Sequence, residues 1–87
     1  MLQEIKLILE KVKGVPGLSQ QLPDTADIIE DVGLDSLEMM EFMLEVESQL
    51  SLEIDFEKLD FSYLRSLKKF SEILEQMKKT EDLIAKK

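Results

Sequence analysis

Side chains able to do covalent chemistry are few in this chain of 87 residues. It has no cysteine and no histidine, so disulfides, thiolate nucleophiles, imidazole metal ligands and the commonest general base near neutral pH are all excluded. Carboxylates, hydroxyls and lysines remain. One hydroxyl stands out, because Ser36 lies where a loop gives way to a run of good helix formers, in the stretch DVGLDSLEMMEF of residues 31–42. Nothing pairs a nucleophile with a base, so we expect no catalytic role.

Asp35 and Glu38 determine whether the hydroxyl of Ser36 is needed to cap the helix. A serine near a helix start is usually its cap, but Asp35 followed three positions later by Glu38 fits a capping box in which the aspartate is the cap. Ser36 is then the first helical residue, and its hydroxyl is not needed for capping. A phosphate attached to it would meet free backbone N–H groups and the positive end of the helix dipole. This pattern indicates an attachment point.

Four helical segments are predicted to position that serine. The first ends at Gly14, the second runs from Leu37 to Leu50, the third is a short piece near Leu59, and the fourth follows Ser66 as its N-cap. No convincing strand alternation is present. We therefore predict an all-α fold, a small four-helix bundle with three longer helices, one short helix and a long loop between helices one and two. The short piece is suggested by Phe56, Leu59 and Phe61, and the stripes of the first and last helices are Leu2, Ile5, Ile8, Leu9 and Val12, and Leu67, Phe70, Ile73, Leu74 and Met77.

The connection of residues 14–35 is long for a compact domain, and such loops are usually functional or disordered. It is too apolar for disorder. We expect its apolar residues to pin it across the helices, which would hold Asp35 and Ser36 in a fixed place. These residues are Val15, Leu18, Ile28, Ile29, Val32 and Leu34.

The charge of the chain narrows the classes of partner. The net charge is −8, and residues 30–60 hold eleven acids against Lys58 alone. This is a poor match to nucleic acid or an anionic membrane surface, and a basic partner is favoured. No apolar run approaches the roughly 18 residues of a membrane span. We expect a monomeric, cytoplasmic protein.

The second predicted helix has apolar residues on two faces. At about 100° per residue, only one of these faces can meet the core, and the other forms an exposed strip flanked by acids. Such a strip suits docking to enzymes with a basic rim around an apolar groove; the alternative is a solvated acidic face whose apolar strip is stray surface or an oligomer contact. The core face gathers Met39, Phe42, Met43, Val46 and Leu50, the strip is Leu37, Met40 and Leu44, and the flanking acids are Glu38, Glu41, Glu45 and Glu47.

The run Gly33-Leu34-Asp35-Ser36-Leu37, opening an acidic helix after a long loop, resembles the 4'-phosphopantetheine attachment motif of the acyl carrier proteins. The likeness covers roughly residues 2–77, including Asp27-Ile28-Ile29, Leu52-Glu53-Ile54 and Leu64-Arg65-Ser66-Leu67. The resemblance implies that Ser36, flanked by Asp35 and Leu37, carries an arm derived from coenzyme A through a phosphodiester. The thiol of that arm would hold an acyl group as a thioester.

The same resemblance implies the organisation and partners of the protein. It implies an acyl carrier domain at residues 1–79. Leu83 and Ile84 are set among charges, so we expect residues 80–87 to be a charged tail with the character of a frayed helix. A phosphopantetheinyl transferase would load the arm, and acyl-transferring and acyl-modifying enzymes with basic surfaces would dock, in fatty acid, polyketide or related biosynthesis. Met1 and the lack of linker composition predict a free-standing carrier. Asp55 replaces the usual proline, and the longer aromatic stretch 56–64 is more similar to carriers of polyketide or other specialised pathways.

Other interpretations remain open at this point. An aminoacyl or peptidyl carrier would share the motif, and an acidic adaptor with Ser36 phosphorylated or unmodified differs only in its covalent state. A calcium loop is suggested by alternating Asp31, Gly33 and Asp35, but it would want glycine at position 36 and glutamate at position 42. A deformable interior that shelters an acyl chain competes with ordinary core filling. Its residues would be Met39, Phe42, Met43, Phe70 and Met77.

Overall fold

In the computed structural model, five α-helices and one π-helical turn follow one another within residues 1–85. The structure describes the backbone of residues 1–85 and the side chains of residues 1–78. All regular structure in this described part is helical, which confirms the all-α bundle. The three long helices were expected, and so was a short helix between the second and third of them. The elements are α1 (Leu2–Lys13), α2 (Leu18–Gln21), the π-helical turn (Ile28–Val32), α3 (Ser36–Leu50), α4 (Phe61–Leu64) and α5 (Leu67–Ala85).

The first helix ends where the sequence predicts. Gly14 adopts the left-handed conformation (φ 67°, ψ 30°), and its N–H donates to the carbonyl of Glu10. Glycine suits this position because it has no Cβ to clash there. The predicted stripe of α1 faces the core, with Ile5, Ile8 and Leu9 buried.

The core forms where α1, α3 and α5 meet. The rings of Phe42 in α3 and Phe70 in α5 lie 5.5 Å apart between centroids, and both side chains are fully buried. The core faces predicted for α3 and α5 are thus confirmed, with Met39 half-buried at the edge of the cluster. The other core residues of these two helices are Met43, Val46, Leu50, Leu67, Ile73, Leu74 and Met77.

The long connection is also held by polar contacts, which the sequence did not indicate. The backbone N–H groups of Leu67 and Lys68 donate to the carbonyls of Ala26 (2.9 Å) and Asp24 (2.8 Å). The loop therefore caps the start of α5, whose first N–H groups have no acceptor within the helix. The Asp24 carboxylate also accepts a 2.8 Å bond from the Lys6 ammonium on α1.

The apolar residues predicted to pin this loop do so unequally. Ile28 and Val32 are buried in the π-helical turn, and Leu18 and Leu34 pack against the core. The prediction was wrong for Val15, which is 44% exposed. Val15 directly follows the C-cap of α1, where its N–H bonds back to the carbonyl of Glu10 and the chain stays at the surface. The short helix α2 and the π-helical turn were not predicted.

The second half of the chain follows the prediction with a shift at the short helix. The segment of Phe56 is a non-helical turn, and α4 begins only at Phe61, because the Asp60 carboxylate accepts from the N–H of Ser62 (2.8 Å) and caps it. The hydroxyl of Ser66 accepts from the N–H of Lys69 (3.5 Å), as predicted for the cap of α5. In the described part, no helix has the length and apolar composition needed to cross a bilayer. The boundary predicted at residue 79 stays a prediction, since side chains from 79 onward and all of residues 86–87 lie outside the described residues.

Candidate attachment site

The start of α3 has the predicted capping box. The Asp35 carboxylate accepts from the N–H of Glu38 (2.8 Å), and the Glu38 carboxylate accepts from the N–H of Asp35 (3.1 Å). Ser36 is the first residue of α3 and is exposed. Its hydroxyl plays no part in capping, so it is available for attachment.

A lysine at the end of α1 contacts the residues before and after Ser36. The Lys13 ammonium donates to Glu38 Oε1 (3.2 Å) and to the carbonyl of Gly33 (3.3 Å). Gly33 adopts the left-handed conformation (φ 72°, ψ 47°), which favours glycine and ends the π-helical turn. The contacts of Lys13 tie the end of α1 to the chain on both sides of Ser36. Sequence analysis missed this residue, because neither spacing nor composition marks it.

Asp27 organises the turn that leads to the site. Its carboxylate accepts from the N–H groups of Ile29 (2.8 Å) and Glu30 (2.9 Å) and from the Arg65 guanidinium. Burial raises the pKa of Asp27, but these N–H groups and Arg65 outweigh it and hold the pKa below its ordinary value. The ion pair links the turn before Ser36 to the end of α4, and it was not predicted.

The carboxylates of the proposed calcium loop have other partners. One carboxylate oxygen of Asp31 accepts from the N–H of Asp27 (2.8 Å), and Asp35 caps α3. Among the described residues, no group of three or more potential metal ligands comes together. The geometry therefore gives no support to a calcium site.

The exposed strip predicted on α3 is present. Leu37, Met40 and Leu44 are 65%, 62% and 60% exposed, whereas Phe42 and Val46 on the core face are 0% exposed. The division of faces is confirmed. The docking role of the strip stays a prediction.

The four acids predicted to flank the strip differ in what they contact. Glu38 is held by Lys13, and Glu47 Oε2 accepts from the N–H of Ile54 (2.9 Å), which fastens the segment after α3. Glu45 Oε2 accepts from the side chains of Gln49 (2.9 Å) and Lys11 (3.1 Å), and these two contacts, that of Gln49 first, lower the pKa of Glu45. Glu41 is exposed and has no such partner among the described residues.

An open groove of about 520 Å³ lies between α3 and α4 beside Ser36. Asp60 is its one charged lining residue, and hydrogen bonds from the hydroxyl and N–H of Ser62 lower its pKa. Of the residues predicted for a deformable interior, Phe42 and Phe70 do not line the groove; both are fully buried in the core, where their tilted rings contact each other. Met77 is buried outside the groove. The lining residues are Ser36, Met39, Met40, Met43, Phe56, Leu59, Asp60, Phe61 and Leu64.

The fold and this site together define a small helical domain that presents one uncommitted serine at a helix start. The family described as "Phosphopantetheine attachment site" matches residues 6–74. The chain therefore belongs to this family of carrier domains, which bear covalently attached 4'-phosphopantetheine. A search of curated proteins and a search of solved structures each found no match.

The residues around Ser36 fit this group. The hydroxyl is exposed, as a phosphodiester linkage requires. The N–H groups of Ser36 and Leu37 have no acceptor within the helix, as in any first turn, and the helix dipole favours an anion there. The Asp35 side chain accepts from the N–H of Glu38, and the Asp35 carbonyl accepts from the N–H of Met39. The helix start is therefore capped without help from Ser36.

Proposed function

We propose that this protein is an acyl carrier protein whose attachment residue is Ser36 and whose carrier domain spans residues 1–79. The observation that carries the proposal is the exposed Ser36 hydroxyl at the start of α3, left free because Asp35 supplies the cap. The attached group supplies a terminal thiol that holds the cargo as a thioester. The proposed location is the cytoplasm, with coenzyme A as the donor of the arm.

The chain itself presents and orients the attachment point. The capping box and Lys13 hold the backbone on both sides of Ser36. The serine oxygen would bond to the pantetheine-bearing phosphorus of coenzyme A while the diphosphate P–O bond breaks and adenosine 3',5'-bisphosphate leaves. The proton of the hydroxyl would pass to the loading enzyme. Among the residues whose side chains are described, no base hydrogen-bonds this hydroxyl, and the neighbouring Asp35 carboxylate accepts from the N–H of Glu38. We therefore expect the transferase to supply the catalytic base.

The groove favours an acyl cargo over an aminoacyl one. Its walls are mainly the thioether and hydrocarbon side chains of residues such as Met39, Met43, Leu59 and Leu64. Burying apolar chain against such walls is favourable at about 25 cal/mol per Å², whereas an ammonium group would lose hydration there and could pair only with Asp60. An aminoacyl or peptidyl carrier is the second candidate.

The exposed strip is the proposed docking surface for partner enzymes. The strip of Leu37, Met40 and Leu44 starts at the residue after Ser36. An enzyme that contacts this strip would have its active site within reach of the attachment point. Glu41 adds a carboxylate with no local partner, which suits a basic rim on the enzyme. The expected partners are a phosphopantetheinyl transferase and acyl-transferring or acyl-modifying enzymes of fatty acid, polyketide or related biosynthesis.

Intact mass spectrometry after incubation with coenzyme A and a phosphopantetheinyl transferase tests the attachment. The protein should gain the mass of one phosphopantetheine, and Ser36→Ala should abolish the gain. Ser48→Ala, an exposed serine on the same helix, is the matched control and should load normally. A wild-type chain that stays unmodified would remove the carrier function and favour the adaptor. Modification that persists in Ser36→Ala would overturn the assigned residue.

The cargo class is tested with two forms of the protein, in which the transferase attaches octanoyl-phosphopantetheine from octanoyl-coenzyme A or alanyl-phosphopantetheine from alanyl-coenzyme A. The octanoyl form should shift the NMR amide signals of Met39, Leu59 and Leu64 and raise the melting temperature relative to the alanyl form. Equal spectra and equal melting temperatures for the two forms would count against the acyl assignment.

A further inference from the structure

Lys13 is the one cation that contacts the chain on both sides of Ser36 within the described residues. Its ammonium lies 3.3 Å from the carbonyl oxygen of Gly33 and 3.2 Å from Glu38 Oε1. Lys13 and Glu38 are each 24% exposed at the side chain, so this pair is largely shielded from water. We propose that Lys13 is a positioning residue for the loading reaction, an inference that rests on the proposed attachment at Ser36.

The two contacts constrain the short segment that contains the serine. Gly33 precedes Ser36 by three positions and Glu38 follows it by two. The Glu38 carboxylate in turn accepts a hydrogen bond from the N–H of Asp35 (3.1 Å). This carboxylate therefore connects Lys13 to the backbone immediately before the serine. One ammonium on α1 therefore links the loop, the cap and the first turn of α3. Without it, the turn keeps its local capping box but loses this tie to α1.

Charge gives Lys13 a second effect on the same reaction. The serine stands between the carboxylates of Asp35 and Glu38, and the diphosphate of incoming coenzyme A is also anionic. An uncompensated Glu38 would repel that diphosphate, and repulsion is strong where both groups are partly shielded from water. The Lys13 ammonium offsets the charge of Glu38 directly.

Lys11 provides a matched control on the same helix. It donates to Glu45 (3.1 Å), further along α3 than Ser36, and its side chain is 64% exposed. Lys11→Met and Lys13→Met make the same chemical change and the same change in net charge. They differ in which carboxylate of α3 loses its partner, in the bond to Gly33 and in the exposure of the lysine, which is 64% for Lys11 and 24% for Lys13.

The test measures kcat and KM for loading of the full chain by a phosphopantetheinyl transferase with coenzyme A. Lys13→Met should lower kcat about fivefold, the scale of a partly shielded ion pair and one hydrogen bond, with the KM for the carrier changed less than about twofold. Lys13→Arg should restore most of kcat, because the guanidinium can reach both acceptors. Lys11→Met should keep the wild-type kcat, and any change should be confined to faster association at low salt through the freed Glu45 carboxylate.

Backbone amide exchange of the unloaded protein gives a readout independent of the enzyme. In Lys13→Met, exchange at Asp35 and Glu38 should quicken severalfold, while core amides such as that of Phe42 keep the wild-type rate. An unchanged kcat in Lys13→Met, or an equal loss in Lys11→Met, would overturn the positioning role while leaving Ser36 as the loaded residue. A wild-type chain that cannot be loaded would instead overturn the proposed function.

Discussion

Met40 and Met43 stand about one turn apart in α3, and their side chains have opposite environments. Met40 is 62% exposed and Met43 is 8% exposed, although both border the groove beside Ser36. The same helix therefore faces the core with one methionine and solvent with the other.

Truncation of these two methionines should separate stability from docking. Met43→Ala should lower the free energy of unfolding by about 2–5 kcal/mol, because it leaves a cavity at the core edge. Met40→Ala should change it by less than about 0.5 kcal/mol yet slow loading by the transferase. Urea unfolding and loading rates of the two variants give the comparison. A larger stability loss for Met40→Ala would mean that the faces of α3 are assigned backwards.

Substitutions at Asp35, the cap of α3, and at Ser36, the proposed attachment residue, should have different effects on stability. Asp35→Ala should cost about 0.5–2 kcal/mol of stability, because its carboxylate accepts from the N–H of Glu38 at 2.8 Å. Asp35→Asn keeps a capping oxygen and should recover most of the loss. Ser36→Ala should leave thermal unfolding and helicity nearly unchanged. Unfolding of Ser36→Ala at markedly lower temperature would show that the serine also has a structural role.

Glu41 should contribute more to partner association than Glu45. Glu41 has no local partner, whereas Glu45 is compensated by Lys11 at 3.1 Å. Glu41→Gln should therefore slow association with a basic partner by about twofold at low ionic strength, and the effect should fade as salt rises. Glu45→Gln removes the same charge and should have a smaller effect. Stopped-flow association at several salt concentrations measures both, and equal effects would mean that the local pairs do not matter for docking.

The ion pair of Asp27 and Arg65 should make stability sensitive to acid. The pKa of Asp27 is lower in the folded protein than its ordinary value, despite burial. The unfolded chain thus binds the proton more readily, so this stabilisation is fully present above the ordinary value of about 3.9 and is lost as the pH falls through the folded value. Asp27→Asn should be less stable near neutral pH and lose less on acidification. Urea unfolding between pH 6 and about pH 3 tests this, and identical slopes for the two proteins would contradict it.

Local interactions explain which features were predictable. Gly14 ends α1, Asp35 and Glu38 form the capping box, and the apolar spacing of α3 separates its two faces, as the sequence indicates. Each of these depends on residues within a turn or two of one another, and helix geometry converts such spacing directly into position. The serine was predictable as an exposed first helical residue for the same reason.

The tertiary structure alone determined how that local unit is held. Lys13 meets Glu38 across 25 positions and Gly33 across 20, and Arg65 meets Asp27 across 38. The loop carbonyls that cap α5 and the groove between α3 and α4 likewise depend on how the elements pack. No sequence period reports contacts of this kind, because the partners are far apart along the chain and meet only when the elements pack. The sequence alone marked Ser36 as the candidate site, and packing decided which distant residues contact its surroundings.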